Sequence, residues 1–102
     1  MKVNTNILNG AALDWAVEEA EGLMHLSGNI IPYSTEWAHG GCIIERERIT
    51  LDYRADIDSA RPWIATLPSG AEEHGATPLI AAMRVYAAGA LGDSIDIPEE
   101  LL

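Results

Sequence analysis

Between Thr77 and Gly92 the chain carries a single charged residue, Arg84, in a stretch that is otherwise helical in pattern. Thr77 supplies an N-cap hydroxyl, Pro78 suits a first helical position whose N–H needs no partner, and Gly92 is a natural stop. Wound at roughly 100° per residue, Leu79, Ala82, Met83, Tyr86 and Ala90 share one face. Ala81, Val85 and Ala88 keep the opposite side uncharged. A helix apolar around most of its girth is buried on several sides. In a chain of 102 residues that means a central helix against a sheet, or a contact between copies, and a homo-oligomer is expected on the second ground.

The rest of the chain reads as one domain over residues 1–102, of the α+β class, with two main helices packed on a small antiparallel sheet. The first helix spans residues 10–21, with Asn9 as N-cap and Gly22 as stop. Leu13, Ala16, Val17 and Ala20 form its narrow apolar stripe. Asp14, Glu18 and Glu21 share the neighbouring face, and Trp15 lies off the stripe beside Glu19. A turn at Ser27-Gly28-Asn29 precedes a short Ile30-Ile31 segment ended by Pro32. Ser34-Thr35 starts a helical turn carrying Trp37 and Ala38, which Gly40-Gly41 interrupts. Residues 42–48 fit a helical turn or a strand equally. Ile49, Leu51 and Tyr53 alternate with polar residues as a half-buried strand does. Residues 54–61 are a polar connection, Pro62 opens a second strand over residues 63–67, and the pair forms a hairpin. The tail from Ile95 alternates at first and adds an edge strand or packs by its apolar residues.

Six Lys+Arg against sixteen Asp+Glu give a net charge of −10. That balance argues against docking on duplex DNA or an anionic membrane, both of which need clustered cations. The single cysteine, Cys42, forms no internal disulfide. The first residues lack the apolar core of a signal peptide, and the stretch from Leu79 to Leu91 is too short to span a bilayer. A cytoplasmic, non-membrane protein is expected.

The densest local signal is Trp37-Ala38-His39-Gly40-Gly41-Cys42. Consecutive glycines allow positive φ and let backbone N–H groups approach an anion. Trp37 offers a face for a planar ring, as does Trp63, and His39 a donor. His39 and Cys42 have a spacing that chelates zinc, but two ligands do not make a site and no metal is expected. Arg84 must find a carboxylate, backbone oxygens or a bound anion. With Arg46, Arg48, Arg54 or Arg61 it offers bidentate donors to phosphate or carboxylate. No nucleophile elbow, zinc-protease helix, phosphate-binding loop or paired-cysteine motif is present, so neither catalysis nor a cofactor is expected.

Residues 37–49 (Trp37 to Ile49), residues 77–84 (Thr77 to Arg84), the Trp63-Ile64-Ala65 strand and Asp14-Trp15-Ala16-Val17 together resemble the NinX-like family of small tailed-phage proteins. The resemblance runs from about Leu8 to Leu102. It implies a phage accessory protein acting inside an infected bacterium and assigns no activity. By analogy with small non-enzymatic phage proteins, two functions suit the chain. The first is a sponge that binds a small anionic, nucleotide-derived immune signal through Trp37, His39, Gly40, Gly41, Arg46, Arg48, Trp63 and Arg84. The alternative is an acidic inhibitor that presents Asp14, Glu18, Glu21 and Trp15 to a host defence or DNA-processing protein.

Overall fold

The long apolar helix is the centre of the molecule. In a computed structural model, which describes residues 1–22 and 29–102, α3 (Pro78–Leu91) buries Leu79 and an unbroken run from Ala81 to Ala87. It is packed by α1 (Gly10–Ala20), α2 (Trp37–Glu47), the strands β3 (Trp63–Thr66) and β4 (Glu72–Gly75), and a 3-10 turn over Thr5–Ile7. Its girth is therefore spent inside the chain, which is the central-helix option. The N-cap forms as its residue type dictates: Thr77 Oγ1 accepts from the Ile80 N–H at 3.1 Å.

The sheet is antiparallel, in the order β2 (Thr50–Tyr53), β3, β4. Tyr53 stands opposite Trp63, and Trp63 opposite Gly75. The alternation in residues 49–53 puts Leu51, Ala65 and Glu73 in one cross-strand row, with Ala65 fully buried. Strand β4 has no apolar alternation. It forms because it pairs with β3 and because Gly75 lets it lie against α3: a Cβ there would sit 2.5 Å from the Ala81 nitrogen. A second, two-stranded sheet joins β1 (Lys2–Asn4) to β5 (Ser94–Asp96). The tail thus adds an edge strand, and its partner is the N-terminal segment.

Two local expectations are corrected. The glycine pair does not interrupt a helix: α2 runs unbroken from Trp37 through Gly40, Gly41 and Cys42 to Glu47, and this settles residues 42–47 as helical. Neither glycine has positive φ. The reason is close packing, since a Cβ on Gly40 would meet the Tyr33 carbonyl oxygen at 2.3 Å and Leu79 Cδ2 at 2.6 Å. Asn9 occupies the N-cap position of α1 but makes no side-chain cap bond. Ser27 and Gly28 of the expected turn, and His25, lie outside the described residues.

The acidic face of α1 is the second correction of consequence. It is turned inward: Asp14 is 7% and Glu18 3% exposed. Asp14 Oδ1 accepts from the Ser34 N–H at 2.8 Å, and Glu18 Oε2 from the Ile31 N–H at 2.7 Å. Spaced i and i+4, the two carboxylates hold the otherwise ladderless segment over residues 31–34 against α1. Burial pushes the Asp14 carboxyl above its ordinary value, against hydrogen bonds from Ser34 that pull it down. Such a group stabilises the fold more as pH falls through its raised pKa. Asp14→Asn keeps the acceptor and removes the desolvated charge, so its stability at pH 7 is expected to equal or exceed that of the parent. Asp14→Ala orphans the Ser34 N–H and is expected to cost roughly 1–3 kcal/mol. Thermal melts of the two variants check the pair.

Candidate functional site

The arginines are distributed rather than gathered. Arg46 donates from Nη1 and Nη2 to the two oxygens of Glu21 at 3.0 and 2.7 Å, and from Nε to Glu47 at 2.8 Å. Its Nη2 also reaches the Tyr86 hydroxyl at 3.1 Å, and its guanidinium carbon lies 5.6 Å from the centroid of the Tyr86 ring. Tyr86 in turn donates to Glu21 Oε2. This clasp joins α1, α2 and α3 at one point. Arg54 pairs with Asp56 at 2.9 Å and Arg61 with Asp58 at 3.1 Å. Arg48, at the left-handed C-cap of α2 with φ 56°, is exposed.

Arg84 is 8% exposed and bonded to backbone oxygens: Nε donates to the Leu8 carbonyl and Nη1 to the His74 carbonyl, each at 2.9 Å. Burial lowers its pKa from the ordinary arginine value, and the nearby Arg61 charge adds to that.

The clasp fixes an acid dependence. The hydrogen bonds from Arg46 hold the Glu21 carboxyl below its ordinary value, against burial, and burial pushes the Tyr86 hydroxyl up to about 12. A depressed carboxyl contributes stability above its unfolded value near 4.5 and loses it as pH falls through the folded value. Glu21→Gln is therefore expected to lower the melting temperature at pH 7 and to flatten part of the acid limb below about pH 4.5. Melts across pH 3 to 7, set against the parent, measure it.

Of the residues expected to hold a small ligand, Trp37 lines a groove. Trp37, 54% exposed, forms the wall of a hollow of about 250 Å³ with Ser34, Thr35, Thr77, Pro78, Leu79 and Ile80. The first turns of α2 and α3 meet there. The Glu36 carbonyl takes the His39 and Gly40 N–H groups, and Thr77 Oγ1 takes that of Ile80. This leaves the N–H groups of Trp37, Ala38 and Leu79 without acceptors among the described residues. Two helix N-termini present positive dipole ends at one place.

The other singled-out residues lie elsewhere. Gly40 donates within α2 to Glu36, so its N–H is not offered to a ligand. His39, also exposed, packs edge-on against Tyr33 with ring centroids 6.2 Å apart. Trp63 is half-buried in β3, edge-on to Tyr53 at 5.2 Å. Arg48 stands at the far end of α2 from Trp37, about 16 Å along the axis at 1.5 Å per residue. Cys42 is exposed and its Sγ donates to the Ala38 carbonyl at 3.3 Å. Among the described residues no three His, Cys, Asp or Glu side chains are placed to hold a metal ion. Nor is any helix among them long and apolar enough to cross a membrane.

The contribution of Thr77 to Ile80 to the groove was hidden behind their role as a helix start. Their signal in the sequence was the same one that capped α3: a threonine and a proline at the head of an uncovered first turn.

No curated protein matches the chain. A family model described as Bacteriophage P22, NinX, matches residues 29–89, well over half its length. That span contains α2, the three-stranded sheet, both walls of the Trp37 groove and most of α3. The chain therefore belongs to the NinX family of bacteriophage accessory proteins.

Proposed function

We propose that this phage accessory protein is not an enzyme and acts by binding: it holds a small ring-bearing anion beside Trp37 and keeps it from its receptor. The observation that carries this is the exposed Trp37 ring over a groove where two helix N-termini meet. An indole face takes any planar ring, and a stacked base is worth about 1–3 kcal/mol. The first-turn N–H groups and the Thr35 and Thr77 hydroxyls suit an oxyanion better than a cation. A nucleotide-derived immune signal of the infected bacterium, met in its cytoplasm, fits that chemistry. The anion contacts then come from backbone and hydroxyl groups, with Arg46 and Arg84 serving the fold. The hollow is below the usual size of small-molecule sites. The ring takes the Trp37 wall, and the remainder of the signal lies across the rim.

The test is calorimetric titration of the purified protein with mononucleotides and cyclic oligonucleotides, alongside Trp37→Ala and Trp37→Phe. Binding that falls at least tenfold in Trp37→Ala and partly returns in Trp37→Phe supports the proposal. Absence of binding to the whole panel, or binding that Trp37→Ala leaves unchanged, overturns it.

A further inference from the structure

The three-stranded sheet has an open edge along β2. Just past that strand, the Arg54 N–H donates to the Pro62 carbonyl at 2.6 Å. The same register sets Asp52 opposite Ile64 and Thr50 opposite Thr66. These are the pairs that exchange hydrogen bonds in an antiparallel ladder, so the N–H and C=O groups of Leu51 and Tyr53 point away from β3. Among the described residues nothing donates to them or accepts from them. The far edge of the sheet, on β4, is partly closed by Arg84, whose Nη1 donates to the His74 carbonyl. Chains blunt an exposed edge with lysine, proline or a bulge, and β2 has none of these. Tyr53, at its open end, is 58% exposed.

The order of side chains along that edge selects its occupant. Asp52-Tyr53-Arg54 reads acid, aromatic, base. Laid antiparallel on itself about Tyr53, it sets each Asp52 opposite Arg54 of the other copy. We propose that β2 pairs with β2 of a second copy across a twofold axis at Tyr53, joining two three-stranded sheets into one of six strands. Three observations fix this register. Tyr53 can bond its own counterpart only if both its backbone groups face outward, and the ladder turns them that way. Centring on Asp52 instead would set two carboxylates directly opposite, which is destabilising. Centring on Leu51 would set Tyr53 against Ile49, whose N–H is already taken by the Ile44 carbonyl at 3.0 Å. Arg54 is held by Asp56 through Nε and Nη2, which leaves Nη1 for Asp52 of the second copy. Tyr53 also packs edge-on against Trp63 in its own cross-strand row, and the pairing extends that row to four rings. The −10 on each copy opposes association, which favours the register that pairs opposite charges at the contact. This edge is separate from the Trp37 groove and does not rest on a ligand there.

Sedimentation equilibrium of the purified protein up to about 0.5 mM is expected to show a monomer in equilibrium with a dimer. Arg54→Asp and Asp52→Arg are each expected to weaken the dimer about tenfold. Asp52→Arg lowers the net charge of each copy, so its weakening effect reports the pairing itself rather than general repulsion. The double variant Asp52→Arg/Arg54→Asp exchanges the two charges and is expected to return the dimer to within about threefold of the parent. Trp37→Ala is expected to leave it unchanged. Asp52 and Arg54 are exposed, so these variants fold, which circular dichroism checks. A monomer throughout the concentration range overturns the proposal. So does a dimer indifferent to both single changes, or one that the exchanged pair fails to restore.

Discussion

Gly40→Ala is expected to destabilise the protein by about 3 kcal/mol, while Gly41→Ala, one residue on, is expected to stabilise it by about 0.5–1 kcal/mol. Both glycines sit inside α2 with ordinary helical backbone. Alanine is the better helix former at either position. What separates them is the neighbour. A methyl on Gly40 points at the Tyr33 carbonyl oxygen from 2.3 Å, and that carbonyl belongs to a backbone held by two further bonds. Tyr33 donates its N–H to Ile31 at 2.9 Å, and Ser34 donates its own to Asp14 at 2.8 Å. The same methyl meets Leu79 at 2.6 Å, so α2 cannot move away from one contact without leaving α3. A methyl on Gly41 meets only the edge of Trp37, at an ordinary 3.5 Å. Urea denaturation of the two single variants measures both signs. Destabilisation of equal size at both positions would place the pair in a turn instead of a helix.

Arg84→Met is expected to cost about 2–3 kcal/mol, with the loss concentrated where the guanidinium bridges. Methionine replaces the aliphatic stem well. It leaves the Leu8 and His74 carbonyls, each now accepting at 2.9 Å, without their donor. Two orphaned carbonyls cost roughly 1–3 kcal/mol each. Against that stands a gain, because burial penalises the cation, as its lowered pKa records. The carbonyls win because the arginine fastens two separate parts of the chain, the end of the 3-10 turn and strand β4, to α3. Arg84→Lys keeps the charge on a single ammonium that cannot span both oxygens, and is expected to fall between. Hydrogen exchange checks the location: protection should drop first around residues 5–8 and 72–75. A cost below about 0.5 kcal/mol would remove the bridge from the account of stability. Ligand binding by the folded Arg84→Met protein should match the parent, since the arginine contributes nothing to the Trp37 groove.

How far the sequence could be read followed the range of the forces involved. α3 was legible in full because its threonine cap, first-position proline and terminal glycine act within one turn of the helix they delimit. The β2–β3 hairpin was legible from alternation, which is likewise local. α2 was not, because Gly40-Gly41 lowers helical propensity by about 1 kcal/mol per residue and packing against Tyr33 and Leu79 overrides it. β4 was missed because Glu72, Glu73 and His74 carry no strand pattern. Its existence depends on a neighbour strand and on the room Gly75 leaves beside Ala81.

The site divides the same way. The sequence by itself determined that Trp37 stood in a segment of special composition and that Arg84 had to be satisfied. It also showed that Asp14, Glu18 and Glu21 shared a face, since all three follow from residue type and helical period. Only the tertiary structure decided which way that face turned and which oxygens Arg84 took. It likewise decided that Arg46 closed on Glu21 and that the heads of α2 and α3 met at Trp37. Each of those outcomes is a contact between parts of the chain far apart in sequence. A side chain's chemistry states what it needs, and the packing of the whole chain selects which neighbour supplies it.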